Sequence, residues 1–138
     1  MRTVLGNFII ISLLLLSACG NESPDNKVSE NPEEKPEIAF KSLEHDFGNI
    51  EEGVKTGTIF SFTNQGRSNL VIASATTSCG CTVPKFSNKP VAPGESGTVE
   101  VVFDSSGREG KQTKTITIRS NASKPVIVLK ITANIVTK

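Results

Sequence analysis

The sequence predicts an all-β domain, an antiparallel two-sheet sandwich of six or seven strands with no helix of consequence. Three observations carry that prediction. Apolar and polar side chains alternate with period two through most of residues 38–138, the pattern of strands with one face buried and one in water. Turn-forming residues punctuate the runs at short spacing: Gly48, Gly53, Asn64-Gln65-Gly66, Pro93-Gly94, Gly107, Gly110 and Asn121 to Pro125. A helical period is absent from the same stretch. Short strands at this spacing in about 100 residues are what a sandwich needs.

The elements follow in order. Leu43, His45 and Phe47 share one parity, with Gly48 read as the turn that ends their strand. Phe60 and Phe62 alternate with Ile59 and Ser61, and Asn64 and Gly66 suit a turn of positive φ after them. Pro93-Gly94 breaks the chain before a strand from Thr98 to Asp104, in which Val99, Val101 and Phe103 share a face. Ile116 and Ile118 alternate with Thr115, Thr117 and Arg119. The last run sets Ile127, Leu129, Ile131, Ala133 and Ile135 against Val128, Lys130, Thr132 and Asn134, and Asn121 before it is placed to bond backbone. Phe60, Phe62, Val101, Phe103, Ile118 and Leu129 are therefore expected in the core. Trp and Tyr are missing altogether, so that core rests on aliphatic residues and Phe.

Ahead of the domain the composition changes twice. Arg2 and the apolar run Val4 to Leu16 form a basic start and a hydrophobic stretch too short to span a bilayer, followed by small residues. Leu16-Ser17-Ala18-Cys19 resembles the bacterial lipobox. The resemblance implies a lipoprotein signal peptide over residues 1–18 and a palmitate-type lipid anchor on Cys19. Residues 19–37 then carry Pro24, Pro32 and Pro36, with six acids (Glu22, Asp25, Glu30, Glu33, Glu34, Glu37) against two bases (Lys27, Lys35). Such a segment cannot bury enough surface to fold. It is expected to be a disordered acidic tether, reaching up to roughly 50 Å at about 3 Å per residue. The domain, residues 38–138, carries a modest positive surplus within a chain of net charge +1, weak grounds for nucleic-acid binding.

The remaining thiols lie in Ser78-Cys79-Gly80-Cys81-Thr82. Two residues apart on a strand they would share a face, with Cα atoms roughly 6.6 Å apart, near the upper limit for a disulfide. Gly80 would let the chain tighten and close that distance. Three readings stay open: a local disulfide, structural or labile; a soft-metal site for Cu(I) or Zn; or two small side chains packed at a strand end. The sole histidine, His45, reads as a partly buried, hydrogen-bonded side chain, with a ligand or pH-sensing role as the alternative.

Taken together, His45-Asp46-Phe47-Gly48-Asn49-Ile50, Gly53, Phe60 to Gly66, Ser78 to Pro84, Ala92-Pro93-Gly94-Glu95 and Ile118-Arg119-Ser120-Asn121 resemble, in order and spacing, the bacterial domain of unknown function 1573. The resemblance covers nearly all of residues 38–136, and its most specific piece is Cys79-Gly80-Cys81. It implies an immunoglobulin-like sandwich similar to the major-sperm-protein and Hydin-type domains, common in exported proteins and lipoproteins. The family carries no established activity, so the match speaks to fold and address.

Catalytic constellations are not visible. His45 and Asp46 are strand neighbours pointing to opposite faces, and Gly94-Glu95-Ser96-Gly97 is no nucleophile elbow. No phosphate loop opens a helix. The expectation is therefore not an enzyme, with no cofactor, no small-molecule substrate and no nucleic-acid partner. The chain is read as a lipid-anchored module of the cell envelope, at the outer membrane (periplasmic or surface face) of a diderm bacterium, binding another envelope protein. The rival reading is a thiol-redox or copper-handling lipoprotein acting through Cys79 and Cys81.

Overall fold

The protein is described by a computed structural model covering residues 34–137. Cys19, the signal peptide and most of the acidic stretch lie outside the described residues. Within them the chain forms eight strands: β1 (Ile38–Phe40), β2 (Glu44–Glu51), β3 (Lys55–Asn64), β4 (Ile72–Thr77), β5 (Thr82–Phe86), β6 (Ser96–Asp104), β7 (Gly110–Ser120) and β8 (Val126–Val136). They make two four-stranded sheets, ordered β1-β3-β6-β5 and β2-β8-β7-β4. The expected all-β immunoglobulin-like sandwich is what the chain forms, with eight strands in place of six or seven.

The alternating residues meet between the sheets. Phe60, Phe62, Val99, Val101 and Phe103 of one sheet and Ile116, Ile118, Leu129, Ile131, Ala133 and Ile135 of the other are buried in a single core. All six residues expected inside are there. Their polar neighbours stay on the outer faces, because a period of two cannot do otherwise once one face is covered.

Two features depart from the sequence reading. The first is a parallel pair in a sandwich expected to be antiparallel. After Phe40 the chain leaves the first sheet and joins the second, so β2 runs parallel to β8 while β1 runs antiparallel to β3. One short stretch, Lys41 to Leu43, makes the crossing. The second is Gly48, which does not end the strand. It adopts φ +67° inside β2, its N–H donating to the Asp46 carboxylate at 2.9 Å, and the pairing with β8 shifts register between Asp46 and Asn49. This is a bulge, and the strand resumes beyond it.

The domain boundary also moves. Residues 35–37, assigned to the tether, are packed onto the sandwich. Pro36 is buried, the Lys35 carbonyl accepts from Arg67 N–H at 3.4 Å, and the Pro36 carbonyl accepts from Ser123 N–H at 2.9 Å. Glu37 exchanges backbone and side-chain bonds with Gln65 and Asn64. The chain therefore joins the sandwich at the end formed by the β3–β4, β5–β6 and β7–β8 loops. The opposite end is built from the β2–β3, β4–β5 and β6–β7 turns.

Candidate functional site: the Cys79–Cys81 turn

The β4–β5 turn, residues 78–81, crosses from one sheet to the other. Its geometry begins with β4, whose Thr77 pairs with Ile116, and ends with β5, whose Thr82 pairs with Phe103. Backbone bonds pin the turn to both sheets. Ser78 N–H donates to the Thr115 carbonyl at 3.1 Å, and Asp104 N–H donates to the Cys81 carbonyl at 2.9 Å. The Ser78 hydroxyl in turn accepts from Thr115 N–H at 3.2 Å.

Between these pins the two cysteines are joined by a disulfide, with their Cα atoms 5.4 Å apart. The extended-strand spacing of roughly 6.6 Å does not apply, since the residues sit in a turn and face each other across it. Gly80 at the apex is exposed, and a Cβ built on it would meet nothing within 4 Å. Its φ is not among the positive ones, so the tight crossing does not depend on a left-handed glycine.

Two threonines frame the disulfide. Thr77 Oγ1 donates to the Cys79 carbonyl at 2.7 Å and lies 3.2 Å from the Thr82 carbonyl, clasping the turn at its base. Thr82 is buried, at 3% exposure, and its hydroxyl oxygen stands 3.8 Å from Cys81 Sγ and 3.9 Å from Cys79 Sγ. The two sulfurs differ in setting. Both are half-buried, but of the two only Cys81 packs against the hydrophobic core.

His45 is not part of this site. It sits on β2, paired with Ile131, with its ring edge-on to Phe47 at 4.6 Å. Strands β2 and β4 are opposite edges of their sheet, so the sole imidazole and the sulfurs lie on opposite flanks. Among the described residues no cluster of three His, Cys, Asp or Glu side chains forms. With the sulfurs bonded to each other, the pair of thiolates that a Cu(I) or Zn reading requires is not presented in this state. Asp46, beside His45, points to the outer face. The Gly48 N–H, helped by Thr132 and Lys111, holds its carboxyl below the usual carboxylate range. Asp104, next to the turn, is lowered in the same sense, first by Ser106 and then by Lys55.

Other residues singled out in the sequence are structural in ways their motifs did not show. Asn64 closes β3 and is fully buried. Its Oδ1 accepts from Glu37 N–H at 3.3 Å and Gly66 N–H at 3.0 Å, while Nδ2 donates to the Ser68 and Val91 carbonyls at 2.8 and 2.9 Å. Gly66 is needed for space and not for positive φ, since a Cβ there would collide with the backbone of Lys35 to Glu37. Asn121 bonds the backbone of Asn69 and Val71, which enters β4, rather than its own loop. Ser105 drew no attention in the sequence, and no local pattern marks it. It is buried, with its hydroxyl 2.8 Å from the Glu51 and Val54 carbonyls and accepting from Val54 N–H at 2.8 Å. Thr77 and Thr82 were likewise missed as partners of the cysteines, although both flank the motif directly.

Residues 38–135 match the family described as "Protein of unknown function (DUF1573)". The chain belongs to this family. No curated protein matches it. A protein of unknown function from Porphyromonas gingivalis W83 superposes with a TM-score of 0.67 at 20% identity, covering 79% of this chain and 51% of its own. The ASH/PapD-like domain 7 of human CEP192 gives 0.58 at 11% identity, with coverages of 78% and 89%. The VesB protease of Vibrio cholerae gives 0.58 at 17%, with 72% and 32%. This DUF1573 chain thus spans about half of the Porphyromonas protein and a third of the protease. At these identities the likeness is one of fold: an immunoglobulin-like domain in a family to which no activity is assigned.

Proposed function

We propose that this DUF1573 chain is a lipoprotein, held at a membrane of the cell envelope by acyl chains on Cys19, and that its sandwich is a non-catalytic module binding another envelope protein. The observation that carries this reading is the polarity of the domain. Its N-terminal segment joins one end, where Pro36 is buried and residues 35–37 are bonded to Asn64, Arg67 and Ser123. The three turns of the other end, residues 52–54, 78–81 and 105–109, point away from that junction. Strand β8 runs the length of the sandwich in 11 residues, so the free end stands roughly 35 Å beyond the junction at about 3.3 Å per residue. A chain anchored at its N-terminus would display that end outward. Two or three acyl chains, each buried methylene contributing about 0.8 kcal/mol, suffice for lasting attachment.

The test has two arms. Clickable palmitate fed to cells should label the wild-type chain and not Cys19→Ala; label retained on the Ala variant would sink the anchor. A photo-crosslinking residue at Glu52, Gly80 or Gly107 should capture an envelope protein that the same probe at Pro93 or Lys124 does not. Equal capture from both ends would refute the outward-facing binding end.

A further inference from the structure

A disulfide between residues two apart adds little to the fold. In the chain-entropy account the stabilisation grows with the length of the closed loop, and this loop is nearly the shortest possible. The turn that carries it is already held without it. Ser78 is bonded to Thr115, Cys81 to Asp104, and Thr77 to the Cys79 carbonyl. The framework therefore persists whether the sulfurs are joined or not, which is what a reversible pair needs and a structural staple does not.

The surroundings are polarised in a way that bare packing does not require. The Thr82 hydroxyl is buried and stands within 3.9 Å of both sulfurs. A disulfide sulfur is a feeble acceptor and gives that hydroxyl little to do. A thiolate is a strong one, and charge-assisted bonds are roughly twice as strong as neutral ones. The outer side of the turn is open, because Gly80 presents no side chain and nothing lies within 4 Å of where its Cβ would be. Asp104, whose backbone N–H is bonded to the Cys81 carbonyl, has its carboxylate engaged by Ser106 and Lys55.

We infer that the Cys79–Cys81 disulfide is a thiol–disulfide exchange site for the paired thiols of a second protein, with Cys79 the sulfur attacked, Cys81 the leaving thiolate and Thr82 its hydrogen-bond donor. Cys79 is attacked because, of the two sulfurs, only that of Cys81 is packed against the core. In the first step a partner thiolate bonds to Cys79 Sγ, and the electron pair of the broken S–S bond goes to Cys81 Sγ. In the second, the partner's other thiolate attacks its own sulfur of the mixed disulfide and releases Cys79. The partner dithiol leaves as a disulfide, its two electrons and two protons now on Cys79 and Cys81. The reverse direction delivers them to an oxidised partner. Thr82 acts through the thiolate and is a positioning residue. This exchange names the chemistry of the partner at the outward end, and depends on the display reading only for where that partner is met.

The experiment uses the full chain in detergent with Cys19→Ser in every variant, so that two thiols titrate and the anchor plays no part. The probe is glutathione in defined reduced-to-oxidised ratios, read by mass after alkylation. The disulfide of the folded chain is expected to open and close reversibly. Thr82→Val should shift the equilibrium at least tenfold toward the disulfide, about 30 mV for this two-electron couple, and Thr82→Ser should restore it. Among single-cysteine variants, Cys81→Ser should form the glutathione adduct at least tenfold faster than Cys79→Ser. A disulfide that opens only when the chain unfolds would overturn the inference, as would adduct rates equal within a factor of two. Thr82→Val matching the wild type would remove Thr82 from the mechanism; should that variant not fold, the single-cysteine comparison decides alone.

Discussion

The two ends of the sandwich are held by different physics. Where residues 35–37 join the domain, cohesion comes from buried amides: Asn64 satisfies four backbone groups from three segments, Asn121 two more, and Gly66 lets the incoming chain lie against it. At the opposite end the turns rest on positive-φ glycines at 53, 107 and 110, on the Ser105 hydroxyl and on the short disulfide. A buried amide with every partner in place is costly to disturb, since each group left unpaired carries its own desolvation penalty. Glycine turns and a two-residue disulfide carry no such penalty. The junction end is therefore locked by buried amides, whereas the opposite end, Ser105 apart, is held mainly by backbone conformation, with Gly53, Gly107 and Gly110 in a region other residues enter only with strain.

Substitutions sharpen this contrast, beginning with the core that both ends share. Phe62 lies toward the junction, against Phe40 at 5.3 Å and over Gly97, and Phe103 lies toward the free end, opposite Thr82 and Thr56. Truncating either to Ala should cost about 3–5 kcal/mol in denaturant unfolding, and a loss below about 1 kcal/mol at both would mean that neither end depends on the common core.

Next, Asn64→Ala should cost about 3 kcal/mol or more, because it strands several buried backbone groups at roughly 1–3 kcal/mol each. Ser105→Ala should cost about 1–2 kcal/mol by the same reasoning, its neighbours keeping the bond between Ser105 N–H and the Val54 carbonyl. Equal losses in urea titrations would erase the difference between the ends. The smallest effect is expected at the disulfide: Cys79→Ser with Cys81→Ser should lower stability by no more than about 2–3 kcal/mol. A larger loss would make the turn end as locked as the junction end.

Much of this was legible before any coordinates. The strand faces follow from the period-two runs, since Phe60, Phe62, Val101, Phe103, Ile118 and Leu129 could share a core only as alternating strands do. The Cys79-Gly80-Cys81 segment was legible as a place of chemistry, though its state was not. Spacing along an extended strand measured the wrong distance for residues that a turn brings face to face.

What the sequence by itself determined is local: the period-two alternation of residues 38–138, its turns and the motif that marks the family. What only the tertiary structure decided depends on residues far apart in the chain. The crossing at Lys41 to Leu43 makes β2 a parallel partner of β8, a choice made by which sheet has an open edge to fill. Gly66 is required because the chain 30 residues earlier lies against it, and Ser105 matters because its carbonyl partners are 51 and 54 positions away. Thr82 meets both cysteine sulfurs only because the turn brings them to its hydroxyl. Hydrophobic alternation encodes which face turns inward; it carries no record of which buried polar groups will find each other once it has.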